Sequence, residues 1–265
     1  MRLLSPAPRG DMTIYYAAAR SMGRPQIADY EAPLLGRFQT FRDSIGKLHS
    51  LAAAESPLRE IHDDLKRLYD CESADLISFK EKIRHAFGPG CPYCGEYCST
   101  PEIDHYLPRT KYGEYSLFAP NLVPSCGPCN RKLSDRVAQG EDYLQPFFDD
   151  FLGEPTMQVS FDWSVDPLAI RLECSDQLRG SDRSRVERHM KLIGIRNRFA
   201  RWAVGELSRY GRMYNDRDIT HIASDLARQE TSYRPNPGPN VWPALLARAV
   251  LADGEMLGFL SRGLT

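Results

Sequence analysis

The sequence predicts an α+β protein, mainly α-helical, with a short strand–loop–strand–helix module at its centre and a small β-hairpin after it. Three observations carry that expectation. Apolar residues recur three or four apart on both sides of the centre, as on the buried faces of helices. Two C-x2-C hooks, Cys91/Cys94 and Cys126/Cys129, bracket 31 residues. The stretches Met157–Trp163 and Leu168–Cys174 alternate apolar with polar residues around Asp166-Pro167, as half-buried hairpin strands do.

Residues 1–88 read as an N-terminal helical region. A short helix is expected at Ile14–Met22 in an otherwise Pro-dotted segment. From Leu34 a helical period runs through Leu35, Phe38, Phe41, Ile45, Leu48 and Leu51. Pro57 suits the opening of another helix, with Ile61, Leu65, Leu68 and Tyr69 on one face. Ser73 is placed to cap a further helix, Leu76–Phe87, which Gly88-Pro89 ends and which leads directly into Cys91.

Residues 89–140 read as the central module. Glu102–Leu107 (EIDHYL), bounded by Pro101 and Pro108, is a strand, because proline resists continuing a ladder. Lys111–Pro120 is a loop and Asn121–Pro124 a second strand. Gly127-Pro128 breaks the chain before a helix that carries Cys129, Asn130 and Arg131. The two hooks have the spacing of a structural zinc site, in which four sulfurs close the tetrahedron; Cys98, four residues past Cys94, is an alternative ligand. So small a unit buries little apolar surface, so one bound Zn²⁺ would supply much of its folding free energy. Asp104, His105, Asn121 and Asn130 sit within or beside the excursion between the hooks. That placement implies a second metal, distinct from zinc, that serves chemistry.

At IDHYLP, NLVPSC and CNRKLSD the chain resembles the HNH endonuclease family, in its form with a zinc-binding cysteine quartet; the likeness covers about 45 residues of 265. The resemblance implies a ββα-metal fold in which His105 is the general base that deprotonates the attacking water. It further implies that Asp104 and Asn130 hold one catalytic divalent metal and that Asn121 shapes the loop and orients the base. Asn130 stands where a His often does in the family. As a neutral oxygen donor, Asn suits Mg²⁺ or Mn²⁺ better than zinc. A neutral His with a pKa of about 6.5 accepts a proton around pH 7, and one hard cation neutralises charge on the phosphodiester. Arg109 and Lys111, and Arg131 and Lys132 beside Asn130, are placed to contact flanking phosphates.

Residues 141–265 read as a hairpin followed by a basic helical region. Phe147, Phe148 and Phe151 are expected to cover the back of the module. Ser184-x-x-Glu187 is a capping box for a helix with Val186, Met190 and Ile193 inward. Gly194 interrupts it, Arg196–Tyr210 continues, and Asp218–Arg228 is a further helix. Tyr233–Pro239 is irregular, and Asn240 is placed to cap a last apolar helix, Val241–Leu260, which Gly254 and Gly258 weaken. Cys71 and Cys174 read as buried lone thiols. His49, His62, His85, His189 and His221 read as structural or surface residues.

The formal net charge is −1, which by itself does not describe a nucleic-acid binder. The charge is segregated, however: Arg179–Arg212 holds ten basic residues against three acidic ones, with Arg185 and Arg188 among them. Such a stripe is a phosphate track, a docking face for an acidic partner, or a solvated face. No stretch of about 18 apolar residues exists for a membrane span, and MRLLSPAPRGD lacks the apolar core expected of a secretory signal. Cysteines in metal spacing fit a reducing compartment, so the expected location is cytoplasmic. The flanks are similar to the stand-alone HNH nucleases of bacterial anti-phage systems of the Septu type. That resemblance implies an ATPase partner of the SMC/ABC-like class, since this chain carries no Walker motif. The leading expectation is therefore a DNA endonuclease; the alternatives are a ribonuclease, acting for example on tRNA, and a catalytically dead zinc-ribbon binding module.

Overall fold

The computed structural model describes residues 1–4, 12–85, 88, 90–140, 143–166, 168–233 and 238–262. The expected helix end at Phe87, Pro167 of the hairpin turn and residues 234–237 of the expected loop lie outside them. The helices are α1 (Thr13–Ser21), α2 (Glu31–Asp43), α3 (His62–Leu68), α4 (Ala74–His85), α5 (Gly127–Leu133), α6 (Gly180–Ile193), α7 (Ile195–Tyr214), α8 (Ile219–Tyr233), α9 (Trp242–Ala252) and α10 (Gly254–Arg262). The strands are β1 (Glu102–His105), β2 (Leu122–Ser125), β3 (Met157–Asp162) and β4 (Ala169–Cys174). This is the α+β class expected, mainly helical, with β1–β2 and β3–β4 as separate two-stranded sheets. Among the described residues no helix is long and apolar enough to cross a membrane.

The chain divides into two units, each assembled from distant stretches. One comprises Leu4–Gly88 and Ser99–Asp149; the other comprises Met1–Leu3, Pro89–Cys98 and Asp150–Thr265. The core of the first is aromatic. Phe38 stacks on Phe118 with ring centroids 4.3 Å apart, and Phe41 meets Tyr115 and Phe118 edge-on. Leu34, Phe38 and Phe41 supply the buried face of α2, whereas Leu35 and Ile45 are exposed. The helix expected from Leu34 through Leu51 therefore begins at Glu31, buries Leu34 rather than Leu35 and stops at Asp43, with Leu48 in a single 3₁₀ turn. Pro57 likewise opens a 3₁₀ turn, Leu58–Ile61, rather than α3 itself. The Ser73 cap is present, its Oγ accepting from the Leu76 N–H at 3.3 Å.

In the other unit, Trp242 packs against Phe199 and Trp202. The β3–β4 hairpin forms in the register Met157↔Cys174 to Asp162↔Ala169. Three expectations are corrected here. Ser184 does not cap α6: the helix begins at Gly180, and the Ser184 Oγ bonds back to the Gly180 carbonyl one turn earlier. The last helix is two, because Asp253 is extended and its Oδ1 caps the Met256 N–H of α10. Asn240 is not the cap of α9. It is fully buried, accepts from the Thr156 N–H at 2.7 Å and donates to the carbonyls of Leu152 and Glu154, so it pins a distant loop. Gly194, in the left-handed region at φ 59°, ends α6 as expected.

Candidate active site

β1 and β2 are antiparallel with Glu102↔Ser125, Asp104↔Val123 and His105↔Leu122 in register. Side chains alternate along β1, so Glu102 and Asp104 share one face and Ile103 and His105 the other. Ile103 packs with Ile83 and Leu122, and Tyr69 and Phe79 border them. The strand ends sooner than the sequence suggests, and the reason is local. The Tyr106 N–H still reaches the Asn121 carbonyl at 3.0 Å, but Leu107 is taken over by a side chain. The Asn121 Oδ1 accepts from the Leu107 N–H at 2.7 Å, while its Nδ2 donates to the carbonyls of Leu107 at 3.0 Å and Tyr115 at 3.2 Å. Fully buried, Asn121 thus ties together both ends of the loop between the strands.

That loop holds the partner of His105. The imidazole Nε2 lies 3.0 Å from the Ser116 carbonyl, which can only accept, so Nε2 carries the proton. Nδ1 is then the nitrogen with the lone pair, the arrangement required of a proton acceptor. Ser116 is itself held, its Oγ donating to the Leu65 carbonyl at 2.6 Å. Tyr69 sets its ring edge-on to the imidazole at 4.4 Å. Burial pushes His105 down to about 4, the Ser116 carbonyl opposes that, and Arg109 adds to it. The residue is neutral at pH 7, and its proton affinity is lower than the ordinary value suggests.

Asp104 is buried, and α5 packs against β1 carrying Asn130. The Asn130 Nδ2 donates to Glu102 Oε2 at 2.7 Å. A carboxylate and an amide oxygen are hard donors, so this pair fits Mg²⁺ or Mn²⁺ and not a thiophilic ion. The four hook cysteines make a different set. Their sulfurs all lie within 4.8 Å of one another and all four residues are buried. A zinc tetrahedron with Zn–S bonds of about 2.3 Å places its sulfurs roughly 3.8 Å apart, so the cluster fits one structural Zn²⁺. Cys98 is not part of it.

The first hook is well supported. The Arg198 Nη2 lies 3.2 Å from the Cys94 Sγ and also pairs with Glu96, while its guanidinium sits 5.8 Å from the Trp242 ring centre. N–H groups directed at a thiolate offset part of the negative charge that four cysteines bring to a zinc ion. The Trp242 Nε1 donates to the Cys94 carbonyl at 2.7 Å, and His189 bonds the Tyr93 carbonyl at 2.9 Å. Gly95 has φ +82°, and a Cβ there would lie 2.2 Å from the Asn240 carbonyl oxygen, so the turn admits glycine alone.

The basic residues expected at the site are held in different ways. Arg109 is tethered, donating to the Lys66 carbonyl at 3.2 Å and pairing with Asp70 at 2.7 Å. Lys111 is exposed beside the Tyr112 ring; Arg131 is mostly exposed, 3.8 Å from Glu102, and Lys132 is exposed. On α6, Arg183 pairs with Glu187 and Asp176, Arg185 lies over the Phe151 ring, and Arg188 is exposed. On α7, Arg196 donates to the Leu172 carbonyl and Arg209 pairs with Glu206. Sequence reasoning missed three participants. Glu102 was detectable, two residues before Asp104 on the same strand face. Tyr69 was assigned to a helix face only, and the Ser116 carbonyl is backbone, which residue identity does not mark.

Residues 91–136 match the family described as HNH endonuclease. The chain is also similar to Protein ea31 of Escherichia phage lambda, 31% identical over 157 residues, which is 57% of this chain and 47% of that protein. The chain thus spans about half the length of the curated relative it matches. No solved structure matches it. The stretch that holds both cysteine hooks, β1, β2 and α5 is therefore an HNH endonuclease domain.

Proposed function

We propose that the chain is a metal-dependent endonuclease that hydrolyses phosphodiester bonds of DNA. The observation that carries this reading is the bond from His105 Nε2 to the Ser116 carbonyl, which leaves Nδ1 to take the proton of an attacking water. Asn121 keeps the loop that carries Ser116 closed, so it orients the base without touching substrate. Asp104 and Asn130 would hold one Mg²⁺ or Mn²⁺. When bound, such an ion supplies charge neutralisation at the phosphate and stabilises the leaving oxygen. The cysteine quartet holds structural zinc and takes no part in the chemistry. Lys111, Arg131 and Lys132 contact flanking phosphates; Arg109 does so less freely, because Asp70 already engages it.

The chain also serves, in this proposal, as an anti-phage effector that works with an ATPase partner. The anti-phage role and the ATPase class follow from the resemblance of the flanks, and the need for a partner is supported by electrostatics. With a net charge of −1 and several stripe arginines engaged by Glu187, Asp176 and Glu206, the chain by itself has modest means to capture a duplex. The test is incubation of the full chain with supercoiled plasmid, single-stranded DNA and total RNA, in Mg²⁺, Mn²⁺ or EDTA, beside His105→Ala. DNA cleavage that needs the metal and falls at least 10²-fold in the variant is expected. Cleavage untouched by His105→Ala overturns the assignment of the centre; cleavage of RNA alone overturns the choice of substrate.

A further inference from the structure

Glu102 has no part in the chemistry above, yet one of its oxygens is bonded by α5 and the other faces a guanidinium of the same helix. Oε2 receives the Asn130 Nδ2 at 2.7 Å, and Oε1 faces the Arg131 Nη1 at 3.8 Å. A Cβ on Gly127, at the start of α5, would stand 2.6 Å from Glu102 Oε1 and 2.9 Å from the Arg131 Nη1, both ends of side chains that can shift, so the feature that engages this carboxylate is the Asn130 donor.

The stereochemical consequence falls on Asn130. An ionised carboxylate only accepts, so it selects the amide rotamer with Nδ2 toward Glu102 and rejects the one with Oδ1 there. Nitrogen and oxygen leave the amide carbon on opposite sides. With Nδ2 committed, Oδ1 is directed away from Glu102 as an available oxygen donor. Without that constraint the two rotamers are nearly isosteric, and half of the choice presents N–H groups, which repel a cation.

We propose that Glu102 is a positioning residue for the catalytic cation: it fixes the Asn130 amide so that its oxygen, not its nitrogen, is offered to the metal. The inference rests on the reading that Asp104 and Asn130 hold that cation. Glu102 acts here by accepting a hydrogen bond from the Asn130 amide; Gln keeps that bond but, able to donate as well, no longer rejects the other rotamer.

The experiment is Mn²⁺ titration of the zinc-loaded full chain, with free Mn²⁺ read by electron paramagnetic resonance. Wild type, Asp104→Asn, Glu102→Ala, Glu102→Asp and Glu102→Gln are compared, with zinc content and the thermal midpoint recorded for each. Glu102→Ala is expected to weaken Mn²⁺ binding about tenfold, about twofold of it from admitting both rotamers and the rest from losing the anchor that orients the amide, with zinc content unchanged. Glu102→Gln should stay within about threefold of wild type, since it still anchors the Asn130 amide and admitting both rotamers costs about a factor of two. If Glu102→Ala does not fold, Glu102→Asp, one methylene too short to reach, is the variant in which the loss is read. Cleavage by the weakened variants should recover its wild-type rate at saturating Mn²⁺. Mn²⁺ binding that depends on Asp104 but ignores Glu102→Ala overturns the inference alone. So does Glu102→Gln as defective as Glu102→Ala, which would mean that the charge itself acts. Binding identical in wild type and Asp104→Asn overturns the cation site, and this inference with it.

Discussion

Replacing Asn121 by Ala tests whether one buried amide holds the catalytic loop. The side chain makes three hydrogen bonds, one accepted from Leu107 and two donated to the carbonyls of Leu107 and Tyr115. All three partners are backbone groups that the substitution strands in a site closed to solvent. At about 1–1.5 kcal/mol for each bond lost, with the desolvation of stranded groups on top, the cost is about 3–5 kcal/mol. That is a large part of the roughly 5–15 kcal/mol typical of a folded domain. The effect should also be local. The same loop carries Ser116, whose carbonyl sets the tautomer of His105, so the base loses its orientation before the protein loses its fold. Urea unfolding of zinc-loaded wild type and variant measures the stability term. Amide exchange at Leu107 measures the loop, and turnover under conditions where the variant remains folded measures the base. Asn121→Asp is the informative companion: nearly isosteric, it still accepts from Leu107 but faces two carbonyls without a donor. A variant Asn121→Ala within about 0.5 kcal/mol of wild type, or one destabilised as expected with unchanged turnover, would refute the argument at its first or second step.

Two further outcomes follow from the site. Burial lowers His105 to about 4, so the neutral base is fully present above its ordinary value of about 6.5 and is lost only as pH falls through about 4. kcat/KM should therefore change by less than about twofold between pH 7 and pH 5.5, where an unperturbed base would lose about tenfold; a pH–rate profile with its acid limb near 6.5 contradicts the burial argument. The purified protein should also retain about one zinc per chain under mild EDTA that abolishes cleavage, and Cys126→Ser should lose that zinc together with its fold. Elemental analysis alongside thermal melting checks both, and a protein that keeps wild-type stability without zinc counts against a structural role.

What could be read in advance divides along one physical line: the range of the interactions involved. Most roles that depend on near neighbours were legible, although the local capping box at Ser184 was not the start of α6. The hairpin alternation, the Ser73 cap and the spacing within each C-x2-C hook are of this kind, and each is present; the helical periods are present with shifted ends. Asn240 shows where that reasoning stops. A polar residue before an apolar helix looks like a cap, but its amide binds Leu152, Glu154 and Thr156, more than eighty positions earlier. The basic stripe depends on distant residues in the same way, because charge counted along α6 and α7 does not include Glu96 or Asp176, which lie on other segments yet engage Arg198 and Arg183. His105 carries both cases in one residue. Its identity and its adjacency to Asp104 are written in the motif. Its tautomer comes from a backbone carbonyl eleven positions away, and its lowered proton affinity comes from burial that no stretch of the chain encodes alone. Glu102 is the instructive exception, since two-residue alternation put it on the face of Asp104 from the outset. What was hidden was not where Glu102 lies but which group meets it, because the Asn130 amide comes from a helix 28 positions further along the chain.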